Sequence, residues 1–277
     1  MPIEKSNEPE AFASFEREGW ERSLDGYDEE FGAISRQTVG PMLDAAEVGE
    51  GSSVLDLCCG PGMLSAGAIE RGARPVGVDY SEAALARARR LVPAADLRAG
   101  DAQSLDFPDT SFDAVVCGYG LMHLPDPERA LREMVRVVRP GGRVAVSVWD
   151  GSLPDAALNL IFKAVQAHGD GSPDLPHGPD FFQFGTVDRM QSALVEIDLA
   201  DVRATRWKNS VQVTSGAELL GAVERGSVRA SAVLDAQSES ALANMARFLD
   251  EKLTGMPKDD GGYFVQLPST IGSGAKP

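Results

Sequence analysis

The sequence has few cysteines, few histidines and fewer basic than acidic residues. Its three cysteines, two of them adjacent at Cys58 and Cys59, provide neither a disulfide framework nor a C-x-x-C zinc motif. Lysine and arginine total 26 against 42 aspartates and glutamates, and the net charge of −16 repels nucleic-acid phosphates and anionic membranes. There is no signal-like leader and no uncharged apolar run of about 18 residues. We therefore expect a cytoplasmic protein without a metal site, and neither nucleic acid nor a membrane as a partner.

The segment from Ser53 to Asp150 alternates short β-branched runs with helical patterns, which is typical of a parallel sheet with crossover helices. Before the last strand, Asp126 can cap a helix and Pro127 suits its first position, and Pro140-Gly141-Gly142 is expected to end it. The predicted strands are Val54–Leu57, Pro75–Asp79, Asp96–Ala99, Phe112–Cys117 and 144–148.

The second half of the chain has less regular patterns. Residues 151–185 are rich in glycine, proline and aromatic residues, and we predict an insertion after the fifth strand. The tail, residues 268–277, is rich in Gly, Ser and Pro and is expected to be mobile. We divide the chain into an N-terminal helical segment, 1–50, that caps the site, and one domain, 51–277, that carries the insertion and the tail. Between insertion and tail we predict a helix over 186–199, a strand over 203–214, one long helix over 230–253 and a last strand over 263–267.

A strand that ends near an acidic residue and turns through glycines into a helix is suited to a nucleoside-bearing cofactor. Here Asp56 precedes Gly60-Pro61-Gly62, and Asp79 ends the next strand, where a carboxylate can bind both ribose hydroxyls. A dinucleotide site requires G-x-G-x-x-G, but Ser65 stands where the third glycine belongs. An NAD(P)-linked oxidoreductase is therefore the weaker of two possible readings of this turn.

A series of motifs follows in order between residues 54 and 142. Residues 54–62 (VLDLCCGPG), 77–79 (GVD) and 100–102 (GDA) match three motifs, which lie at the glycine turn, at the end of the second strand and after the third strand. Phe112-Asp113, His123-Leu124 and residues 139–142 (RPGG) are further matches. Together they resemble the class I S-adenosylmethionine-dependent methyltransferases, in the small-molecule branch that includes the ubiquinone/menaquinone-type enzymes. The resemblance extends over about residues 15–150.

This resemblance implies an α/β fold, a Rossmann-like, doubly wound and mostly parallel sheet of seven strands with the insertion after the fifth. It also implies S-adenosylmethionine as the cofactor and methyl transfer to a small molecule. Asp56 would order the turn or reach the methionine amine, Gly60 and Gly62 would let the backbone approach the cofactor, and Asp79 would bind the ribose. Cys58 stands where many members have glycine.

The resemblance places further residues at the cofactor. Asp101 and Ala102 would contact the adenine, although Asp101 could instead cap a turn. Tyr27 would lie near the methionine carboxylate, although it could also be an ordinary core aromatic residue. Tyr80, beside Asp79, and Cys117, at the end of the fourth strand, complete the expected cofactor site.

His123 and Tyr119 follow the fourth strand and should border the crevice at the carboxyl ends of the strands. Methyl transfer mainly requires alignment, and a base only when the acceptor begins as a hydroxyl, an ammonium or an acidic carbon. His123 is then the candidate base, with Tyr119 beside it; the alternative is that His123 only fixes its loop. The aromatic residues expected around an apolar, ring-containing acceptor are Trp20, Phe31, Trp149, Phe181 and Phe182.

Several alternatives stay open. The aromatic run around Phe181 is either a lid over the acceptor or plain core. The methylated atom can be oxygen, nitrogen or carbon. A protein that binds S-adenosylmethionine without transferring its methyl group is a further possibility. The segment Cys117-Gly118-Tyr119-Gly120 differs from the Asn/Asp-Pro-Pro-aromatic motif of nucleic-acid amino-methyltransferases, which disfavours that substrate class.

Overall fold

The structure, a computed structural model, describes residues 8–277 except for the side chains of residues 24–30. Residues 1–7 of the expected N-terminal segment and the side chain of Tyr27 lie outside the described residues. The helices are α1 (Glu8–Ala45), α2 (Met63–Glu70), α3 (Glu82–Leu91), α4 (Pro127–Val137), α5 (Ala157–His168), α6 (Val187–Glu196), α7 (Gly216–Gly226), α8 (Val228–Asp235) and α9 (Glu239–Leu253). The strands are β1 (Ser53–Leu57), β2 (Arg74–Asp79), β3 (Asp96–Ala99), β4 (Phe112–Gly118), β5 (Val138–Trp149), β6 (Ala200–Trp207), β7 (Ser210–Val213), β8 (Lys258–Asp259), β9 (Gly262–Gln266) and β10 (Ser269–Ala275).

Seven strands form the central sheet in the order β3-β2-β1-β4-β5-β10-β6. The first five run parallel, and β10 lies antiparallel between β5 and β6. A smaller sheet has the order β7-β9-β8. The predicted doubly wound, mostly parallel sheet is therefore confirmed. Among the residues that the structure describes, no helix is both long enough and apolar enough to cross a membrane.

Both faces of the central sheet are covered, as the nearly all-apolar strands require. Leu55 and Val146 join a large cluster that includes residues of α4, α5, α6, α7 and α9. Their chain neighbours Val54 and Ala145 join a smaller cluster with the end of α1 and with α2. Neighbouring residues join different clusters because successive side chains of a strand point to opposite faces of the sheet. Since both faces are covered, a ligand site is expected at the strand ends.

The helices and strands predicted between residues 53 and 150 from local sequence patterns are largely those of the structure. The predicted cap Asp126 accepts the Arg129 N–H at 2.9 Å, and Pro127 is the first residue of α4. The expectation that residues 140–142 end this helix is wrong, because α4 ends at Val137 and β5 begins at Val138. The backbone of Gly141 and Gly142 instead pairs with Lys276 at the other end of the chain.

Two predictions in the second half are wrong for a shared reason. The strand expected over 203–214 is two strands, β6 and β7, and the long helix expected over 230–253 is two helices, α8 and α9. Asn209 breaks the strand because its buried amide donates to Ser269 and Tyr119. Gln237 breaks the helix because its amide donates to the Gly171 carbonyl. In both places a tertiary hydrogen bond overrides the local propensity.

The expectation of a mobile tail is also wrong. Residues 269–275 form β10, which is buried between β5 and β6. Its small residues are a packing requirement, since a Cβ added at Gly272 would collide with the side chains of Met190 and Leu194 on α6. The glycines and serines that suggested disorder therefore let a helix lie close to a central strand.

We predict that Gly272→Val lowers the free energy of unfolding by about 2–3 kcal/mol, because the added side chain overpacks the interface between β10 and α6. Urea unfolding followed by circular dichroism measures this change. Gly49→Ala is the matched control, since a Cβ added at Gly49 meets nothing within 4 Å. Equal stability of Gly272→Val and wild type would contradict the placement of the tail inside the sheet.

Candidate cofactor and acceptor site

A cavity open to solvent lies at the carboxyl ends of β1, β2, β4 and β5. The strand order reverses there, since β1 pairs with β2 on one side and with β4 on the other, and doubly wound sheets bind ligands at this position. α1 borders the cavity through Trp20, Phe31, Ser35, Thr38 and Val39. The cavity therefore combines strand ends from the sheet with one face of the N-terminal helix.

The turn after β1 has three residues with left-handed backbone. Cys58, Gly60 and Gly62 have φ values of 55°, 52° and 88°. Glycine adopts this conformation readily, whereas the side chain of Cys58 is strained there. Cys58 and Gly60 line the cavity, whereas a Cβ added at Gly62 would meet the side chain of Val92, just after α3.

Asp56 supplies the hydrogen bonds that Gly62 cannot give to the start of α2. Gly62 is the N-cap and has no side chain, and Asp56 Oδ2 accepts the Ser65 N–H at 2.9 Å and the Ser65 hydroxyl at 2.7 Å. Burial raises the pKa of Asp56 to about 7, although the bonds from Ser65 act in the opposite direction. These contacts correspond to the turn-ordering role expected for Asp56.

Asp79 ends β2 beside the glycine turn. Its Oδ2 accepts the Gly60 N–H at 2.8 Å and its Oδ1 accepts the Ser81 N–H at 2.8 Å. Each carboxylate oxygen can accept a further bond, and Asp79 lines the cavity. Burial raises the pKa of Asp79. The residue is thus fixed in place with remaining capacity for ligand hydroxyls.

Tyr80 also lines the cavity, and the guanidinium of Arg17 on α1 lies 5.5 Å from its ring centroid. Burial, followed by the charges of Asp79 and Glu16, raises the pKa of the Tyr80 phenol. Its hydroxyl is therefore neutral near neutral pH.

Five predicted site residues do not line the cavity: Gly62, Asp101, Ala102, Cys117 and Phe182. Asp101 accepts the Gln103 N–H at 2.8 Å. This bond caps a turn, which is the role considered above as the alternative to adenine contact. Phe182 packs edge-on against Phe162 and Phe181, and Cys117 is fully buried in β4.

Aromatic rings that contact one another form an aromatic wall of the cavity. Phe31 lies edge-on to Trp149 with centroids 5.8 Å apart, and Tyr119 stacks on Trp149 at 4.1 Å. Trp20 and Phe181 each present an edge contact to His123, at 5.0 and 5.8 Å. All of these predicted acceptor residues line the cavity, which makes this part of it apolar and suited to a flat ring.

The hydroxyl of Tyr119 takes part in a buried polar cluster. It lies 2.6 Å from Ser269 Oγ and accepts from the Asn209 amide at 3.1 Å. Sequence reasoning missed both partners, because Ser269 falls in the segment expected to be mobile and Asn209 in the middle of an expected strand. Tyr119 therefore presents its ring to the cavity while its hydroxyl fixes β10.

His123 has a partner that the sequence analysis also missed. Its Nδ1 lies 2.9 Å from Oε2 of Glu16 on α1. A signal was available, because Glu16 precedes Trp20 by one helical turn and so shares its face. Within the described residues, no cluster of three metal-ligating side chains is found.

Comparison with known proteins identifies the type of domain. Residues 55–146 match the family described as "Methyltransferase domain". The chain is 40% identical over 139 residues to a demethylmenaquinone methyltransferase of Renibacterium salmoninarum, which covers 49% of this chain and 59% of that protein. Two solved structures are similar: the YcgJ protein from Bacillus subtilis, and a Haemonchus contortus phosphoethanolamine N-methyltransferase with bound S-adenosylhomocysteine. The first has a TM-score of 0.59 and 21% identity, over 86% of this chain and 97% of that one. The second has a TM-score of 0.56 and 17% identity, over 96% and 60%.

These matches cover only part of the curated relatives. The chain spans about half their length, 59% of the Renibacterium protein and 42% of a protein of the same name from Paenarthrobacter aurescens. The structural neighbours, being distant in sequence, establish the fold. The predicted resemblance to S-adenosylmethionine-dependent methyltransferases is confirmed, and S-adenosylmethionine is the cofactor that this resemblance implies.

The raised pKa of Asp56 generates a prediction about stability. A carboxyl group whose pKa rises from its ordinary value near 4 to about 7 on folding is protonated in the native state and ionised in the unfolded state between these values. Its contribution to stability is therefore complete below about pH 4 and disappears as the pH rises through about 7. Asp56→Asn cannot titrate, so relative to wild type it should gain roughly 2 kcal/mol between about pH 5 and pH 8.

Urea unfolding at the two pH values measures this difference, and Asp113→Asn is the control. The Ser53 backbone N–H and the Arg139 guanidinium lower the pKa of Asp113 to about 2, so its contribution is constant over this range. A pH-independent difference between Asp56→Asn and wild type would mean that Asp56 is ionised throughout.

Proposed function

We propose that this protein transfers a methyl group from S-adenosylmethionine to an apolar, ring-containing small molecule. One observation carries the proposal: the glycine turn with Asp79 and the aromatic wall with His123 line the same cavity. A nucleoside site and an apolar chamber that share one cavity are what transfer between a cofactor and a small acceptor requires.

The residues at the turn fit the cofactor. A Cβ added at Gly60 would meet nothing within 4 Å, so open space adjoins the backbone there. We assign the ribose hydroxyls to Asp79. The buried carboxyl groups of Asp56 and Asp79 near one end of the cavity suit a cationic ligand. When bound, S-adenosylmethionine supplies a methyl group on a sulfonium, and the leaving group is a neutral thioether.

The aromatic wall supports a ring-containing acceptor. Trp149, held between Tyr119 and Phe31, provides a rigid flat surface on which a ring can stack. Demethylmenaquinone, named for the curated relatives, is an apolar ring compound of this kind. The family match spans residues 55–146, which include Tyr119 and His123 but neither Trp20 nor Phe181. The acceptor of this chain can therefore differ from that of the relatives.

The chain's own contribution to catalysis is alignment, water exclusion and proton removal. The aromatic rings exclude water and orient the acceptor. We assign proton removal to His123, because the hydroxyl of Tyr119 is occupied by Ser269 and Asn209. A hydroxyl-bearing acceptor loses its proton to the imidazole while oxygen, or a ring carbon conjugated with it, bonds to the methyl carbon.

The test is an assay with methyl-labelled S-adenosylmethionine and a panel of apolar ring compounds that includes menadiol, a naphthohydroquinone. We expect label in at least one compound of the panel, and S-adenosylhomocysteine, but not NAD or NADP, should raise the melting temperature. Asp79→Ala should weaken S-adenosylhomocysteine binding by about 1.5–3 kcal/mol in calorimetry, with Asp79→Asn milder.

Each alternative function has its own outcome in these experiments. Stabilisation by NAD and not by S-adenosylhomocysteine would favour the oxidoreductase. Binding of S-adenosylhomocysteine with no transfer to any compound in the panel would favour a protein that uses the sulfonium without methyl transfer.

We further propose that residues 151–185 close over the acceptor. Phe181 supports this role because it lines the cavity and meets His123, and Phe182 and Phe184 pack behind it against the core. Hydrogen exchange in this segment should slow when S-adenosylhomocysteine and menadiol bind together, since closure protects backbone amides. Unchanged exchange with both ligands at saturation would reduce the segment to ordinary surface.

A further inference from the structure

The contact between Glu16 and His123 joins two parts of the chain that are distant in sequence. Glu16 Oε2 on α1 lies 2.9 Å from His123 Nδ1, in the turn of 3-10 helix after β4. The side chain of Glu16 is 1% exposed and that of His123 is 16% exposed. A buried carboxylate thus faces an imidazole that lines the cavity.

The chemistry of the two groups determines the tautomer of the imidazole. An ionised carboxylate can only accept, so the contact requires the proton to be on Nδ1. In the neutral ring Nε2 is then unprotonated, and it is the nitrogen left for a ligand. The edge contacts with Trp20 and Phe181 restrict rotation of the ring. The imidazole is therefore a preorganised acceptor of one proton.

A purely structural connection between α1 and this turn explains the pair less well. The second oxygen of Glu16, Oε1, is buried and has no hydrogen-bond partner among the residues that the structure describes. Burying a carboxylate that is not fully hydrogen-bonded costs free energy, and a neutral amide or hydroxyl would hold the two elements together at a lower cost. Such a cost is typical of a functional position.

The neighbouring charged and titratable groups are compatible with this arrangement. Arg17 on α1 lies over the ring of Tyr80, not over the imidazole. The charge of Glu16 contributes to the raised pKa of Tyr80, after burial and the charge of Asp79. The neutral phenol leaves Glu16 as the negative group in direct contact with His123.

We propose that Glu16 is a positioning residue: it holds His123 as the Nδ1–H tautomer so that Nε2 accepts a proton from a hydroxyl on the methyl acceptor. The proposal rests on the proposed function and restricts the acceptor to a ring compound with an ionisable hydroxyl, such as a phenol or hydroquinone. The acceptor O–H bond breaks and its proton bonds to Nε2, while the electron pair on oxygen, or on a conjugated ring carbon, bonds to the methyl carbon. The methyl–sulfur bond breaks with its electrons on sulfur. When the methyl group bonds to a ring carbon, the hydrogen on that carbon leaves as a proton and the ring oxygen takes up a proton, which restores the aromatic ring and the hydroxyl. The imidazolium that forms is neutralised by Glu16.

The tautomer can be measured without any acceptor. Long-range proton–nitrogen correlation spectra of nitrogen-15-labelled protein distinguish the two tautomers, and with three histidines in the chain His123→Asn assigns the signal. We expect Nδ1–H in wild type at a pH where the ring is neutral, and a shift toward Nε2–H in Glu16→Ala. Glu18→Ala is the matched control, because Glu18 lies on the same helix with its side chain 68% exposed; it should leave the tautomer unchanged.

Kinetics with menadiol and S-adenosylmethionine test the consequence. Glu16→Ala should lower kcat at least tenfold with little change in the KM for menadiol or in the affinity for S-adenosylhomocysteine, against about a hundredfold or more for His123→Ala. The double variant should be no slower than His123→Ala, because Glu16 acts only through the imidazole. Glu16→Gln, which preserves volume and can accept from Nδ1–H, should recover part of the rate.

The outcomes separate this proposal from the proposed function. An Nε2–H tautomer in wild type, or an unchanged tautomer in Glu16→Ala, overturns the role of Glu16 whether or not methyl transfer is observed. A fall in melting temperature with unchanged kcat would make Glu16 a structural tether. If the tautomers are as expected but menadiol is not methylated, the positioning role is supported. The result then counts against menadiol as the probe or against the proposed function. The wild-type spectrum decides the tautomer even where a variant does not fold.

Discussion

The hydrogen bonds from Ser65 to Asp56 are the constraint on which the rest of the site depends. The backbone at Gly62 is left-handed, with φ 88°, which favours glycine and therefore leaves the start of α2 without a side-chain cap. The start of α2 would then have an unsatisfied N–H, and Asp56 satisfies it from inside the sheet. Burying Asp56 costs free energy, which is seen in its raised pKa. The hydrogen bonds from Ser65, which fix the start of α2, offset this cost.

The same logic extends to the neighbouring strand. Asp79 receives the Gly60 N–H from the turn and the Ser81 N–H from the start of the next helix segment. Two buried carboxyl groups therefore organise the backbone at the ends of two adjacent strands, β1 and β2. Their proximity raises the pKa of Asp56 further, and a cationic ligand at this end of the cavity would relieve that repulsion. Backbone order and ligand charge are thus coupled through the same two residues.

Features whose interaction partners are close in sequence could be predicted, and features whose partners are distant in sequence could not. Asp126 and Pro127 set the start of α4 through neighbours in sequence, so the pattern alone placed that helix. Gly272 was misread because its partners, on α6, are about eighty positions away, and a glycine that permits close packing has the same letter as one in a mobile tail. Glu16 was missed for a similar reason, since its partner His123 is 107 positions away and the one local signal was its place a helical turn before Trp20.

The two halves of the cavity are built in different ways. The turn and Asp79 lie within the segment that matches the methyltransferase family, and they are held by short backbone hydrogen bonds. The acceptor wall is assembled from α1, the strand ends and Phe181, and it is held by ring contacts such as that between Trp20 and His123. Ring contacts tolerate substitution more readily than the satisfaction of buried backbone groups. In the function we propose, the acceptor can therefore vary among chains with the same glycine turn, and Glu16, the proposed positioning residue, connects this variable wall to His123.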